Sequence, residues 1–108
     1  MERLVKGDVV VVPFPFSDTK TSKRRPAMVL AVAGNEIVLV EITSKKRHSD
    51  DISISQNDLK QGTLKVMSWA RPLRLVTIHL SLVLYKIGPL KVEKRDEIIN
   101  KICGLLRD

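Results

Sequence analysis

Apolar residues come in short runs along most of the chain, and their spacing changes only near the C-terminus. The segment Asp8–Val12 carries four successive valines and suits a buried strand better than so short a helix. It stops at Pro13. In Pro13-Phe14-Pro15-Phe16 neither proline can donate a ladder hydrogen bond, so the chain leaves the sheet there or runs along its edge, with both phenylalanines pinning the turn to the core. Ser17 to Arg25 has no apolar side chain and reads as a surface loop available for binding. Pro26–Val32 and Glu36–Thr43 are apolar runs joined through Ala33-Gly34-Asn35, the signature of a β-hairpin. In the second run Val38, Val40 and Ile42 share one face. The alternate face, Ile37, Leu39, Glu41 and Thr43, turns polar toward its end and directs Thr43 away from the centre of the core.

Ser44–Asp51 is a second charged loop, and Ile52-Ser53-Ile54-Ser55 alternates as a half-buried strand does. Asn57–Gly62 reads as a turn or one short helical turn. Leu64–Trp69 and Leu73–Ile78 predict two strands interrupted by Ala70-Arg71-Pro72, and Leu82–Ile87 a last strand closed by Gly88-Pro89. Then the period lengthens. Ile98, Ile99, Ile102, Cys103, Leu105 and Leu106 recur at helical spacing, with Glu93, Asp96 and Glu97 toward the start and Lys101 and Arg107 later. The pattern predicts a mainly β chain: a small, strongly bent antiparallel sheet or barrel with one C-terminal α-helix packed on it. One domain is expected over residues 1–108, with no repeat or linker.

Composition narrows the class. A chain of 108 residues, 44% hydrophobic and 29% charged, suits one small core and excludes a disordered or collagen-like protein. No apolar run approaches the roughly 20 residues that cross a bilayer. The segment Met1–Lys6 lacks the features of a signal peptide, so a cytoplasmic protein is expected. Cys103 has no cysteine to pair with, and the two histidines are scattered, so neither a metal nor a cofactor is expected.

The net charge of +7 at pH 7 favours a polyanionic partner. Most of the excess lies in Lys20, Lys23, Arg24, Arg25, Lys45, Lys46 and Arg47, opposed in that stretch only by Glu36 and Glu41. If the intervening segment is a hairpin, the two basic clusters meet at one end of it and form a single patch for a phosphate backbone. Basic runs also serve solubility, and charge alone does not separate the two uses.

No Walker loop, dinucleotide glycine motif, paired-histidine metal helix or serine elbow is present. His48, in a charged loop, is a candidate general base, whereas His79 reads as a structural residue. The adjacent side chains of Asp50 and Asp51 diverge on an extended segment, which favours a solvated loop over a cation site. Cys103, in the apolar stripe of the helix, reads as a small core residue. Arg25 is more informative. Pro26 holds it in extended geometry, where a guanidinium can grip a phosphate and steady charge on its oxygens. Thr43, at the polar end of the next strand, can give a hydroxyl hydrogen bond to the same group, although the residues alone leave a surface or structural role open for both.

Gly7 to Asp18, with its Pro13-Phe14-Pro15-Phe16, followed by Ser22-Lys23-Arg24-Arg25-Pro26, strongly resembles the PemK/MazF-like toxins. Glu41-Ile42-Thr43-Ser44, then Ser68-Trp69-Ala70-Arg71-Pro72 through Thr77, and Lys86-Ile87-Gly88-Pro89-Leu90 extend the resemblance over nearly the whole chain. It implies an SH3-like barrel with a C-terminal helix, homodimeric, acting as the toxin of a type II toxin–antitoxin pair and bound by a cognate antitoxin. The activity implied is cleavage of single-stranded RNA without a metal: the ribose 2′-hydroxyl attacks the adjacent phosphate and leaves a 2′,3′-cyclic phosphate and a 5′-hydroxyl.

By the same motifs Arg25 and Thr43 are the expected catalytic pair. A guanidinium holds its proton far above neutral pH, so charge stabilisation or proton donation suits Arg25 better than the role of base. Lys20, Ser22, Lys23, Arg24, Ser44, Lys45 and Lys46 are the expected RNA-binding residues, and Trp69 either packs in the core or stacks on a base. Asp18–Arg24 lacks the family's common glycine-glutamate-glutamine pattern, and Ser44-Lys45 replaces the residues that often follow the threonine, so no cut-site preference carries over. Because the fold is shared with toxins that inhibit gyrase, a non-catalytic gyrase inhibitor or RNA-binding barrel is the alternative.

Overall fold

Six strands and one helix take up the apolar runs. The computed structural model describes residues 3–14 and 23–108. The strands are β1 (Asp8–Phe14), β2 (Lys23–Ala33), β3 (Glu36–Thr43), β4 (Ile52–Ile54), β5 (Ser68–His79) and β6 (Tyr85–Pro89), and helix α1 (Val92–Arg107) follows them. Two short 3₁₀ turns, Gln56–Asp58 and Leu80–Leu82, flank β5. The strand order is β4-β5-β3-β2-β1-β6, and every pairing is antiparallel.

The sheet curls into a half-barrel whose two outer strands are tied beyond their ends. Leu59, past β4, bridges Leu90, past β6; the Lys60 amide donates to the Pro89 carbonyl and the Lys91 amide to that of Asp58. Gly62 and Gly88 make this closure possible. A Cβ at Gly62 would run into the Ile87 carbonyl oxygen and one at Gly88 into that of Gln61, and Gly62 sits at φ +99°.

The two sheet faces carry separate cores. On one, Val9, Met28, Val40, Ile42 and Ile54 pack beneath Ile98 and Ile102 of α1. On the other, Val10, Val12, Phe14, Val29, Ile37 and Leu39 pack with Leu4 and Val83. Successive β3 residues alternate between the two, as the strand period requires.

Four expectations need correction. Cys103 is exposed: successive helical residues turn by about 100°, so the residue after buried Ile102 rotates off the stripe. Leu64–Met67 lies outside the sheet, and β5 runs unbroken from Ser68 to His79, with Ala70 paired to Ile42 and Arg71-Pro72-Leu73-Arg74 taken up in a bulge. The last strand starts at Tyr85 because Leu80–Leu82 winds into a 3₁₀ turn capped by the His79 side chain. Lys23–Arg25 belongs to β2, since β1 continues through Pro13 to Phe14 and pairs with it. The proline is tolerated because β6 pairs with β1 only as far as Val11, leaving that side of Pro13 unpaired. Pro15, Phe16 and the loop to Ser22 lie outside the described residues. Among the described residues no helix is long and apolar enough to cross a membrane.

Candidate active site

The polar end of β3 is where the second core opens into a cavity. Ile37 and Leu39 are fully buried, and the same row continues into Glu41 and Thr43, each 6% exposed. Both line a cavity of about 330 Å³, with Phe14 and Arg25 on one side and Arg47, Arg71 and Arg74 on the other.

Register explains how these side chains meet. Arg25 stands opposite Val12 on β1, two residues before Ala27, which is paired with Glu41. Its Nε lies 3.5 Å from Oε1 of Glu41. The other two guanidiniums come from the bulge. Ile42 pairs with Ala70 but Val40 with Leu75, so the segment Arg71–Arg74 is extruded opposite the single residue Glu41. Nη1 of Arg71 and Nε of Arg74 both stand 3.9 Å from Oε2 of Glu41. Despite these neighbours Oε2 has no hydrogen-bond partner.

Arg47 enters from the loop after β3. Asp51 Oδ2 accepts from the amides of Arg47 and His48 at 2.8 and 2.9 Å, and Asp50 Oδ1 meets Lys101 Nζ of α1 at 3.1 Å. Helix and loop are thereby linked. Thr43 Oγ1 accepts from the Lys45 amide at 3.4 Å, a long bond that leaves the hydroxyl proton for another acceptor. Four guanidiniums around one carboxylate give the cavity a surplus of positive charge and donors in fork geometry, the chemistry that binds a phosphate.

Of the expected site residues, Arg25 and Thr43 share this cavity. Lys23 and Arg24 are exposed at the start of β2, and Ser44, Lys45 and Lys46 at the end of β3, so the two basic clusters do meet at one end of the hairpin. Arg24 and Ser44 line an adjoining groove of about 490 Å³ together with Lys65 and Tyr85, and Arg25 borders both hollows. Lys20 and Ser22 lie outside the described residues. Trp69 is half-buried directly across from Thr43 in the β3–β5 register. His48 lies outside the arginine cavity and accepts from the Asp50 amide through Nδ1. His79 caps the 3₁₀ turn, its Nδ1 accepting from the Ser81 amide.

Sequence reasoning did not single out Glu41, Arg71 or Arg74 as site residues. The polar turn of the β3 row points at Glu41 as much as at Thr43, and the interruption expected at Ala70-Arg71-Pro72 overlaps the bulge, but nothing local shows that it faces Glu41. A larger cavity of about 820 Å³, among Leu4, Val32 and His79, lies apart from this chemistry.

The fold is MazF-like. It superposes on an endoribonuclease in complex with its cognate antitoxin from a mycobacterial species, with a TM-score of 0.75 at 11% identity over 99% of this chain and 96% of that one. It is also similar to the Mycobacterium tuberculosis toxin MazF-mt6, with a TM-score of 0.72 at 15% identity over 93% of this chain and 96% of that one. MazF from Deinococcus radiodurans gives a TM-score of 0.73 at 18% identity, covering 95% of this chain and 96% of that one. A search of curated proteins finds no match. The sequence itself fits the family model over residues 5–106, and the chain belongs to the PemK-like, MazF-like toxins of type II toxin–antitoxin systems.

Proposed function

We propose that this chain is an endoribonuclease toxin that cuts single-stranded RNA without a metal. The observation that carries the reading is the convergence of Arg25 and Thr43 on one cavity with Arg47, Arg71 and Arg74. The ribose 2′-hydroxyl attacks the neighbouring phosphorus, the 5′-oxygen departs, and a 2′,3′-cyclic phosphate and a 5′-hydroxyl remain. Negative charge builds on the phosphoryl oxygens in the transition state. Preorganised donors aimed there supply the stabilisation that a metal would otherwise give, and one such donor is worth about 10²–10³ in rate.

Arg25 is the principal donor, and the Thr43 hydroxyl binds a second oxygen of the same phosphate. Lys23, Arg24, Ser44, Lys45 and Lys46 flank the cavity and hold the strand by its backbone, with Lys20 and Ser22 expected to add to them. Single-stranded RNA fits this chemistry because its backbone is free to bring the 2′-oxygen in line with the departing 5′-oxygen. Membership of the family supports a cognate antitoxin, a homodimer, a cytoplasmic setting and cleavage at a preferred sequence, whose identity does not carry over. Pure protein incubated with RNA in EDTA tests the reading. Fragments with cyclic-phosphate and 5′-hydroxyl ends are expected. RNA left intact while binding tightly, or inhibited DNA supercoiling, would favour a non-catalytic toxin.

A further inference from the structure

We propose that Glu41 is the general base of this cleavage, the group that takes the proton from the attacking 2′-hydroxyl. The inference rests on the ribonuclease reading above and assigns the step which that reading leaves open. Attack by the 2′-oxygen requires an acceptor for its proton. The guanidiniums of Arg25, Arg47, Arg71 and Arg74 carry donors and no acceptor, and neither the Thr43 hydroxyl nor the Phe14 ring is a base of useful strength. Glu41 is the one carboxylate among the described residues lining the cavity.

Its placement also demands a reason. Glu41 follows Ile37 and Leu39 on a buried row where an apolar side chain would complete the core. The fold instead keeps a carboxylate whose side chain is 8% exposed and whose Oε2 lacks a hydrogen-bond partner. A buried acceptor left unpaired is costly, and such atoms are scarce in folded proteins. One explanation is a counter-ion that clamps the three guanidiniums. Carboxylate–guanidinium clamps close to about 2.7–2.9 Å and are commonly bidentate. Here the separations are 3.5, 3.9 and 3.9 Å, so the carboxylate is not committed to any of the three. It stands beside the donors that bind the phosphate and retains acceptor capacity for the proton.

The step balances with these groups alone. A Glu41 oxygen accepts the 2′-hydroxyl proton as the 2′-oxygen bonds to phosphorus. The bond from phosphorus to the 5′-oxygen breaks, that oxygen takes a proton from solvent, and Glu41 later returns its own to solvent. Thr43, two residues along the same strand and therefore on the same face, donates to the phosphoryl oxygen while Arg25 stabilises its charge.

Glu41→Gln retains the shape and removes the base. Its turnover on a single-stranded RNA oligonucleotide is expected to fall by about 10²–10⁴. Its affinity for the same oligonucleotide carrying a 2′-deoxy residue at the cut position, which binds but cannot react, is expected to hold or to tighten. Glu41→Asp keeps a carboxylate one methylene further back and is expected to cleave faster than Glu41→Gln; where the glutamine variant does not fold, an aspartate variant that still cleaves supports the assignment. Wild-type protein that cleaves while folded Glu41→Gln stays within about threefold of it overturns the assignment and leaves the ribonuclease reading standing. A turnover loss matched by an equal loss of affinity for the deoxy oligonucleotide also overturns it, because Glu41 then only holds the arginines. Wild-type protein that leaves RNA uncut overturns both.

Discussion

The Nε of Arg25 stands 3.5 Å from Oε1 of Glu41 although the residue paired with Glu41 across the two strands is Ala27. The arginine therefore reaches diagonally over the sheet and brings its fork to the mouth of the cavity. Its side chain remains 35% exposed and borders both hollows, so it can meet a ligand. Arg25→Lys keeps the charge but loses the planar pair of donors. Cleavage is expected to fall by about tenfold or more while thermal stability stays within a few degrees, as measured by initial rates and thermal unfolding.

Arg71 and Arg74 reach the cavity through the bulge in β5, opposite Glu41. Phosphate contacts declare themselves in salt dependence, since each neutralised phosphate on a single strand releases counterions. Replacing either arginine by alanine is expected to lower the slope of log affinity against log salt by about 0.7, read by fluorescence anisotropy with a single-stranded oligonucleotide. An unchanged slope would place that arginine outside the RNA path.

Closure of the half-barrel depends on backbone approach between Gly62 and Gly88. Gly62→Ala adds a methyl group against the Ile87 carbonyl at a φ of +99°, which an L-residue adopts only under strain. A loss of about 1–3 kcal/mol in unfolding free energy is expected from urea denaturation. Stability equal to the wild type would mean that the closure gives way without cost.

Much of this arrangement is legible in the chain because it is local. Period-two spacing marks β3 and the face that turns polar at Glu41 and Thr43, period-3.6 spacing marks α1, and Pro26 marks the arginine held beside it. The unread parts depend on pairing between distant segments. That Arg71 and Arg74 bulge out opposite Glu41 follows from the β3–β5 register, where Val40 meets Leu75 and Ile42 meets Ala70. The break at Ala70-Arg71-Pro72 is visible in the chain, but not which residue of β3 it faces. Cys103 went astray for another reason: an apolar stripe names more positions than a 16-residue helix on a small sheet can bury, and packing selects Ile98 and Ile102.

A double-mutant cycle on Arg25 and Thr43 tests most directly whether the two act on one phosphodiester. Turnover of a single-stranded RNA oligonucleotide in EDTA is measured for wild type, Arg25→Ala, Thr43→Ala and the double variant. Groups that serve one transition state lose their effect together, so the double variant is expected to cleave about as slowly as Arg25→Ala alone, itself about 10²–10³ below wild type. Losses that simply multiply, or an Arg25→Ala protein that cuts RNA at the wild-type rate, would contradict the account.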